Sequence, residues 1–166
     1  MIPGFRRLAD RIQDEVEDLE RSVRRVERAW QAAGQAQANP DMYIDSVALN
    51  LHSFYAGLER LLESIAHQLD GGPPKGEAWH RELLRQMATD LTGVRPPVIS
   101  PETTENLDEF RRFRHVVRNV YAEHLDPDRI GKLVEKLPVL WDRLKVELTA
   151  FAVFLEEVNR ADDAAA

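Results

Sequence analysis

Apolar residues recur along the start of the chain at Phe5, Leu8, Ile12, Val16, Leu19, Val23, Val26 and Trp30, in steps of three and four. That spacing averages near one helical turn and predicts a long amphipathic helix, with charges such as Glu17, Asp18, Arg21, Arg24, Arg25 and Arg28 on its other positions. After Asn39-Pro40 a second stripe runs through Val47, Leu51, Phe54, Leu58, Leu61, Ile65 and Leu69. It meets a strong breaker at Asp70-Gly71-Gly72-Pro73-Pro74. A shorter helix is expected to carry Trp79, Leu83, Met87 and Leu91, ending before Arg95-Pro96-Pro97. Ser100 can cap the next one, with Pro101 at its first position and Glu102 complementing its dipole. Its stripe is Leu107, Phe110, Phe113, Val117 and Val120. Asp126-Pro127 repeats the cap-and-proline start for a last long helix, from Ile130 to about Val158, with a kink or break expected at Pro138.

No stretch alternates with period two. The pattern therefore predicts an all-α fold, an antiparallel up-and-down bundle of four to five helices. One helical domain over residues 1–160 and a frayed tail over 161–166 are expected.

Composition narrows the function classes. The chain has 166 residues, enough for one domain with a sizeable core. Its 22 Lys and Arg against 29 Asp and Glu leave a net charge of −7, so nucleic-acid contact requires a local basic patch. Cysteine is absent, which excludes disulfides, thiolate metal sites and thiol catalysis. The longest apolar run, Phe151 to Leu155, falls far short of the ~20 residues that span a bilayer. Arg6-Arg7 is followed by Asp10, Asp14 and Glu15 without an apolar segment, unlike a signal peptide. A soluble, cytoplasmic chain without membrane contact is the expectation.

Residues 111–118 depart from this acidic background: Arg-Arg-Phe-Arg-His-Val-Val-Arg, without a carboxylate. At ~100° per residue, Arg111, Arg114, His115, Arg118, Asn119 and Tyr121 share an arc of about 160°, opposite Phe110, Phe113, Val117 and Val120. Such a group suits a phosphodiester. Arginines bind phosphate and stabilise developing negative charge, and imidazole moves protons near neutral pH. RNA cleavage through the 2′-hydroxyl needs no metal or other cofactor, and the histidines at 52, 67, 80, 115 and 124 form no pair at helical spacing. A basic helix face is commonly just solvated, so composition and spacing by themselves stop short of an enzyme.

The segments Phe54-Tyr55-Ala-Gly-Leu-Glu59, Trp79-His80-Arg-Glu-Leu-Leu, Arg95-Pro96-Pro97 and Phe113-Arg114-His115-Val-Val-Arg118-Asn119-Val-Tyr121 resemble the HEPN superfamily, in particular its HepT-like branch of bacterial toxin–antitoxin pairs. The resemblance covers most of the chain. It implies a helical bundle forming a homodimer, with the signature helices facing across a cleft, and metal-independent cleavage of RNA. It also implies a minimal nucleotidyltransferase antitoxin as partner, which in some pairs attaches AMP to the motif tyrosine, here Tyr121. The family motif is an Arg, a polar residue, a His five positions after the Arg, one residue and a Tyr. Arg114, His115 and Tyr121 match, while Asn119 stands where the His belongs.

Asparagine cannot shuttle a proton near neutral pH. Three readings follow from that departure. The bundle binds without cutting; or His115 takes over proton transfer from the same arc; or a shifted pair, Arg118 with His124, serves. His115 ranks above His124 because it shares the arc with Arg114. On this reading Arg114, His115, Asn119 and Tyr121 are the catalytic candidates and Arg111 and Arg118 bind substrate. The alternative is a silent bundle that holds a nucleotidyltransferase or RNA without turnover. Elsewhere, Trp79 and His80 could line a ligand pocket, but a core Trp79 with His80 on the helix surface is expected; Tyr55 and Glu59 could reach the cleft, but structural hydrogen bonds are expected. Gly57 is expected to permit close approach near the signature helix, Trp30 and Trp141 to be core or dimer contacts, and Arg95 to be an exposed loop arginine, with a place in a phosphate patch as the alternative.

Overall fold

In the computed structural model, which describes residues 3–119 and 125–165, the chain forms α1 (Pro3–Gln35), α2 (Pro40–Leu69), α3 (Trp79–Met87), α4 (Pro101–Asn119) and α5 (Pro127–Ala165). The all-α bundle expected from the periodicity is the fold observed. The stripe of α1 from Leu8 to Val26 is buried, closed at its ends by the half-buried Phe5 and Trp30. Phe54 of α2 meets Phe110 of α4 and Trp141 of α5 edge-on, with ring centroids 6.1 and 6.0 Å apart. Three helices thus share one aromatic centre, an arrangement that adds to the burial of each ring.

A hydrogen bond and three ion pairs on the rim fix the helix directions. Gln13 donates to Glu156 and Lys145 to Glu20, both at 3.0 Å, so α5 runs antiparallel to α1. Arg143 with Glu102 at 2.9 Å and Lys136 with Glu109 at 2.8 Å set α4 antiparallel to α5. Gly57 does allow a close approach, but to α1: a Cβ there would lie 2.9 Å from Glu15 Oε1 and 3.5 Å from Leu19 Cδ2. Burial holds the Glu15 carboxyl above its usual range despite Arg60 and Arg11.

The caps follow the sequence signals closely. Ser100 Oγ accepts the Thr103 amide at 3.2 Å, and Asp126 Oδ1 accepts that of Asp128 at 3.0 Å. Asn39 precedes Pro40 in the left-handed region at φ 51°, a conformation asparagine tolerates.

Two expectations need correction. Of the kink or break expected at Pro138, the break does not occur: Pro138 stands on the exposed face while Leu137, Leu140 and Trp141 bury around it, and that packing carries the helix through. Leu91, in turn, does not belong to α3, which stops at Met87. There Leu91 pairs with Arg95 across a tight turn, and the Met87 carbonyl accepts the Val98 amide at 2.8 Å.

Arg95 causes that termination. The expectation of an exposed loop arginine is corrected: its side chain is fully buried, with Nε on Asp70 Oδ1 at 2.7 Å and Nη2 on Asp70 Oδ2 at 2.6 Å. The other donors reach the carbonyls of Gln86, Thr89 and Pro96, each at 3.1 Å. Gln86 adds a bond to Asp70 at 2.7 Å. One guanidinium therefore ties the end of α2 to the end of α3 and the approach to α4. This is the bidentate geometry that lysine cannot reproduce. Arg95→Gln should lower stability by about 3–5 kcal/mol, because Asp70 is then left buried without its cation. In a chain of this size that is roughly 10 °C of melting temperature. A calorimetric melt indistinguishable from the parent would refute the stapling role.

Candidate functional site

The signature segment as far as Asn119 lies on α4, and Arg111, Arg112 and Arg114 do not form one solvated patch. Asp108 accepts Arg111 Nε at 2.7 Å and Arg112 Nη2 at 2.5 Å, three and four residues along the same helix. Burial works against charge on Asp108, but the bonds from Arg111 and Arg112 outweigh it and hold its carboxyl below the usual range. Arg111, expected to bind substrate, is thus already matched by a carboxylate within its own helix.

Arg114 turns inward. Its Nη1 donates to Glu59 Oε1 of α2 at 2.6 Å, and the other carboxylate oxygen lies 2.8 Å from His80 Nδ1 of α3. Glu59 is 3% exposed, whereas Arg114 and His80 keep 19% and 28% of their side chains accessible. Three helices therefore meet at one buried anion. A carboxylate at 2.8 Å requires the Nδ1 proton to point at Glu59, so Nε2 carries the lone pair when the ring is neutral. The Trp79 ring lies over the imidazole, centroids 3.7 Å apart. Tyr55, one turn before Glu59, is buried, and burial followed by the Glu59 charge drives its phenol far above the usual range.

His115, next in sequence, is exposed, so the arc drawn from the helical wheel divides into an inward Arg114 and an outward His115. Asn119 ends α4 as described, and the side chains of Arg118 and Asn119, together with Tyr121 and His124, lie outside the described residues. The expectation of His80 on the helix surface is corrected: the ring turns to Glu59, and Trp79 beside it is half-buried at the core edge. Glu59 and His80 are members of the site for which the sequence reading preferred structural roles. A signal for Glu59 existed, because it stands among Tyr55, Leu58, Leu61 and Leu62 on the apolar side of α2. A carboxylate at such a position demands a cation. Nothing local identified Arg114 as that cation.

Among the described residues no three His, Asp or Glu side chains gather as a metal-binding set, and no helix is long and apolar enough to cross a membrane. A second basic feature sits on α1, where Arg21, Arg24, Arg25 and Arg28 line a groove with Glu27 and Gln31.

With the bundle, the buried Arg114 pair and the signature helix in place, comparison with known families gives one match. The profile of the HepT-like protein family covers residues 46–155, two-thirds of the chain, from the first turns of α2 to the middle of α5. The chain belongs to the HepT-like family of the HEPN superfamily. No curated protein sequence and no solved structure matches it. The matched region contains Glu59, His80, Arg95 and Arg114, while α1 lies before it.

The Asp108 pair has a measurable consequence. Its folded carboxyl ionises below the unfolded value, so its contribution is present above about pH 4 and is lost as pH falls through the folded value. The stability deficit of Asp108→Asn, measured by urea denaturation, should therefore shrink between pH 5 and pH 2. A deficit constant across that range would contradict the pairing.

Proposed function

We propose that this HepT-like chain is the toxin of a toxin–antitoxin pair and a metal-independent endoribonuclease, acting as a homodimer whose cleft is built from two copies of α4. The observation that carries the reading is Arg114 itself. The signature arginine is fixed by Glu59 at 2.6 Å at the edge of the bundle, partly accessible, immediately before the exposed His115. A guanidinium so held can donate to a phosphate oxygen without the entropic cost of ordering a free side chain.

In the proposed reaction the 2′-hydroxyl oxygen attacks phosphorus, a P–O2′ bond forms and the P–O5′ bond breaks, leaving a cyclic phosphate. His115 accepts the 2′ proton, and the departing O5′ takes up a proton. Arg114 stabilises the charge developing on the non-bridging oxygens. Asn119 orients the attacking hydroxyl through its amide, Arg118 adds phosphate affinity, and Tyr121 orients the cluster. Tyr121 is also the proposed site at which a nucleotidyltransferase antitoxin attaches a nucleotide, adding bulk and negative charge that would close the cleft to RNA. Asn119 in the place of the motif His favours one second reading, a bundle that binds RNA or the antitoxin without turnover.

The deciding assay is RNA cleavage by the purified chain in EDTA beside Arg114→Ala. Loss of an electrostatic donor of this kind should lower the rate roughly 100-fold or more, and His115→Asn should act in the same direction. Equal cleavage by the Arg114→Ala chain would remove the site from α4. No cleavage by a folded parent would leave binding as the function.

A further inference from the structure

We propose that Glu59 and His80 form a proton-linked positioning pair for Arg114, so that binding a phosphodiester at Arg114 takes up one proton on His80. The inference rests on the reading that Arg114 meets RNA phosphate, and it assigns roles to two residues outside the signature helix.

The argument is one of charge balance at a buried group. Without substrate, the Arg114 cation and the Glu59 anion cancel, and His80 Nδ1 lies 2.8 Å from the second oxygen of Glu59, so the proposed pair carries no net charge until a proton is added to it. A phosphate brought to Arg114 adds a negative charge beside a carboxylate that is 3% exposed. If Arg114 keeps its bond to Glu59, two anions share one cation. If Arg114 swings to the phosphate, Glu59 is left buried with only a neutral partner. Both outcomes are unfavourable for a desolvated charge. A proton on His80 Nε2 removes the difficulty either way, because imidazolium and Glu59 then pair at the existing 2.8 Å contact.

The surroundings favour that proton. His80 Nδ1 also lies 3.3 Å from Arg114 Nη1, close enough to sense whether the guanidinium is occupied by an anion. The Trp79 face, 3.7 Å from the imidazole by centroid, is suited to a cation. His80 is 28% exposed, so water can deliver the proton. Of the neighbouring charged groups, Asp108 on α4 pairs with both Arg111 and Arg112, and Glu82 on α3 with both Arg81 and Arg85, so each carboxylate is outnumbered and the positive excess opposes a further cation until a phosphate arrives. The Tyr55 phenol on α2 is held in its neutral form by burial.

The test uses the full chain and a fluorescent single-stranded oligodeoxynucleotide, which lacks the 2′-hydroxyl and cannot be cut by the proposed reaction. Its dissociation constant is measured from pH 8.5 to pH 6.5 at fixed ionic strength, since salt alone moves such binding. Uptake of one proton should tighten binding by up to about tenfold per pH unit as pH falls. Calorimetry in two buffers of different ionisation enthalpy should register close to one proton bound. His80→Gln, which keeps a hydrogen-bond donor but cannot become charged, should lose this slope, whereas a change of the exposed His67 of α2, His67→Gln, should retain it. Glu59→Gln should bind more tightly at pH 8.5 and lose the slope as well. Proton uptake by the parent needs no variant, so a misfolded substitution does not decide the matter. A slope unchanged in His80→Gln, or no proton uptake by a parent that binds, would overturn the linked pair and leave the RNA reading standing. Absence of binding at every pH would overturn the RNA reading and the pair with it.

Discussion

The constraint on which this arrangement depends is a carboxylate placed where water cannot reach it. Glu59 occupies the apolar side of α2, and a charge there is tolerated only with a cation and hydrogen bonds in close contact. Arg114 supplies the cation from α4 and His80 the second bond from α3. Meeting that single requirement sets how these two helices present their polar residues to α2. It also separates Arg114 from the other basic residues of α4, because Arg111 and Arg112 discharge onto Asp108 instead. The cluster is therefore a product of packing, and its chemistry follows from what the packing leaves partly open.

A second buried pair makes the first possible. Asp70 and Arg95 join the end of α2, the end of α3 and the loop before α4, and this holds His80 and Arg114 over the same turn of α2. The aromatic contacts of Phe54 with Phe110 and Trp141 fix α4 and α5 from the other side. Between them, the polar staple and the aromatic centre leave α4 little freedom to rotate, so Arg114 faces inward while His115 faces out.

The helices were legible because their stripes are local and repeat with one period. Ser100, Pro101, Asp126 and Pro127 marked helix starts because capping is decided within a few residues. The end of α3 was not legible, since Arg95 draws the chain away from helix at Met87 through bonds that no periodicity encodes. Pro138 misled for the opposite reason: a local breaker was overridden by the buried leucines around it. In the site, Arg114 and His115 were identifiable from the basic segment and the family motif. Their division into inward and outward side chains was not, because it depends on Glu59, 55 residues earlier in the chain.

The most direct test is a double-mutant cycle on the central pair, comparing Glu59→Gln, Arg114→Gln and the double variant by urea denaturation at pH 7. Each single change leaves one partner buried and uncompensated, while the double removes both charges together. The account predicts a coupling of about 2–3 kcal/mol, the upper part of the range for residues in direct contact. Effects that add to within about 0.5 kcal/mol would contradict it. Arg114 would then not be held by Glu59, and the positioning argued for the signature helix would have no basis.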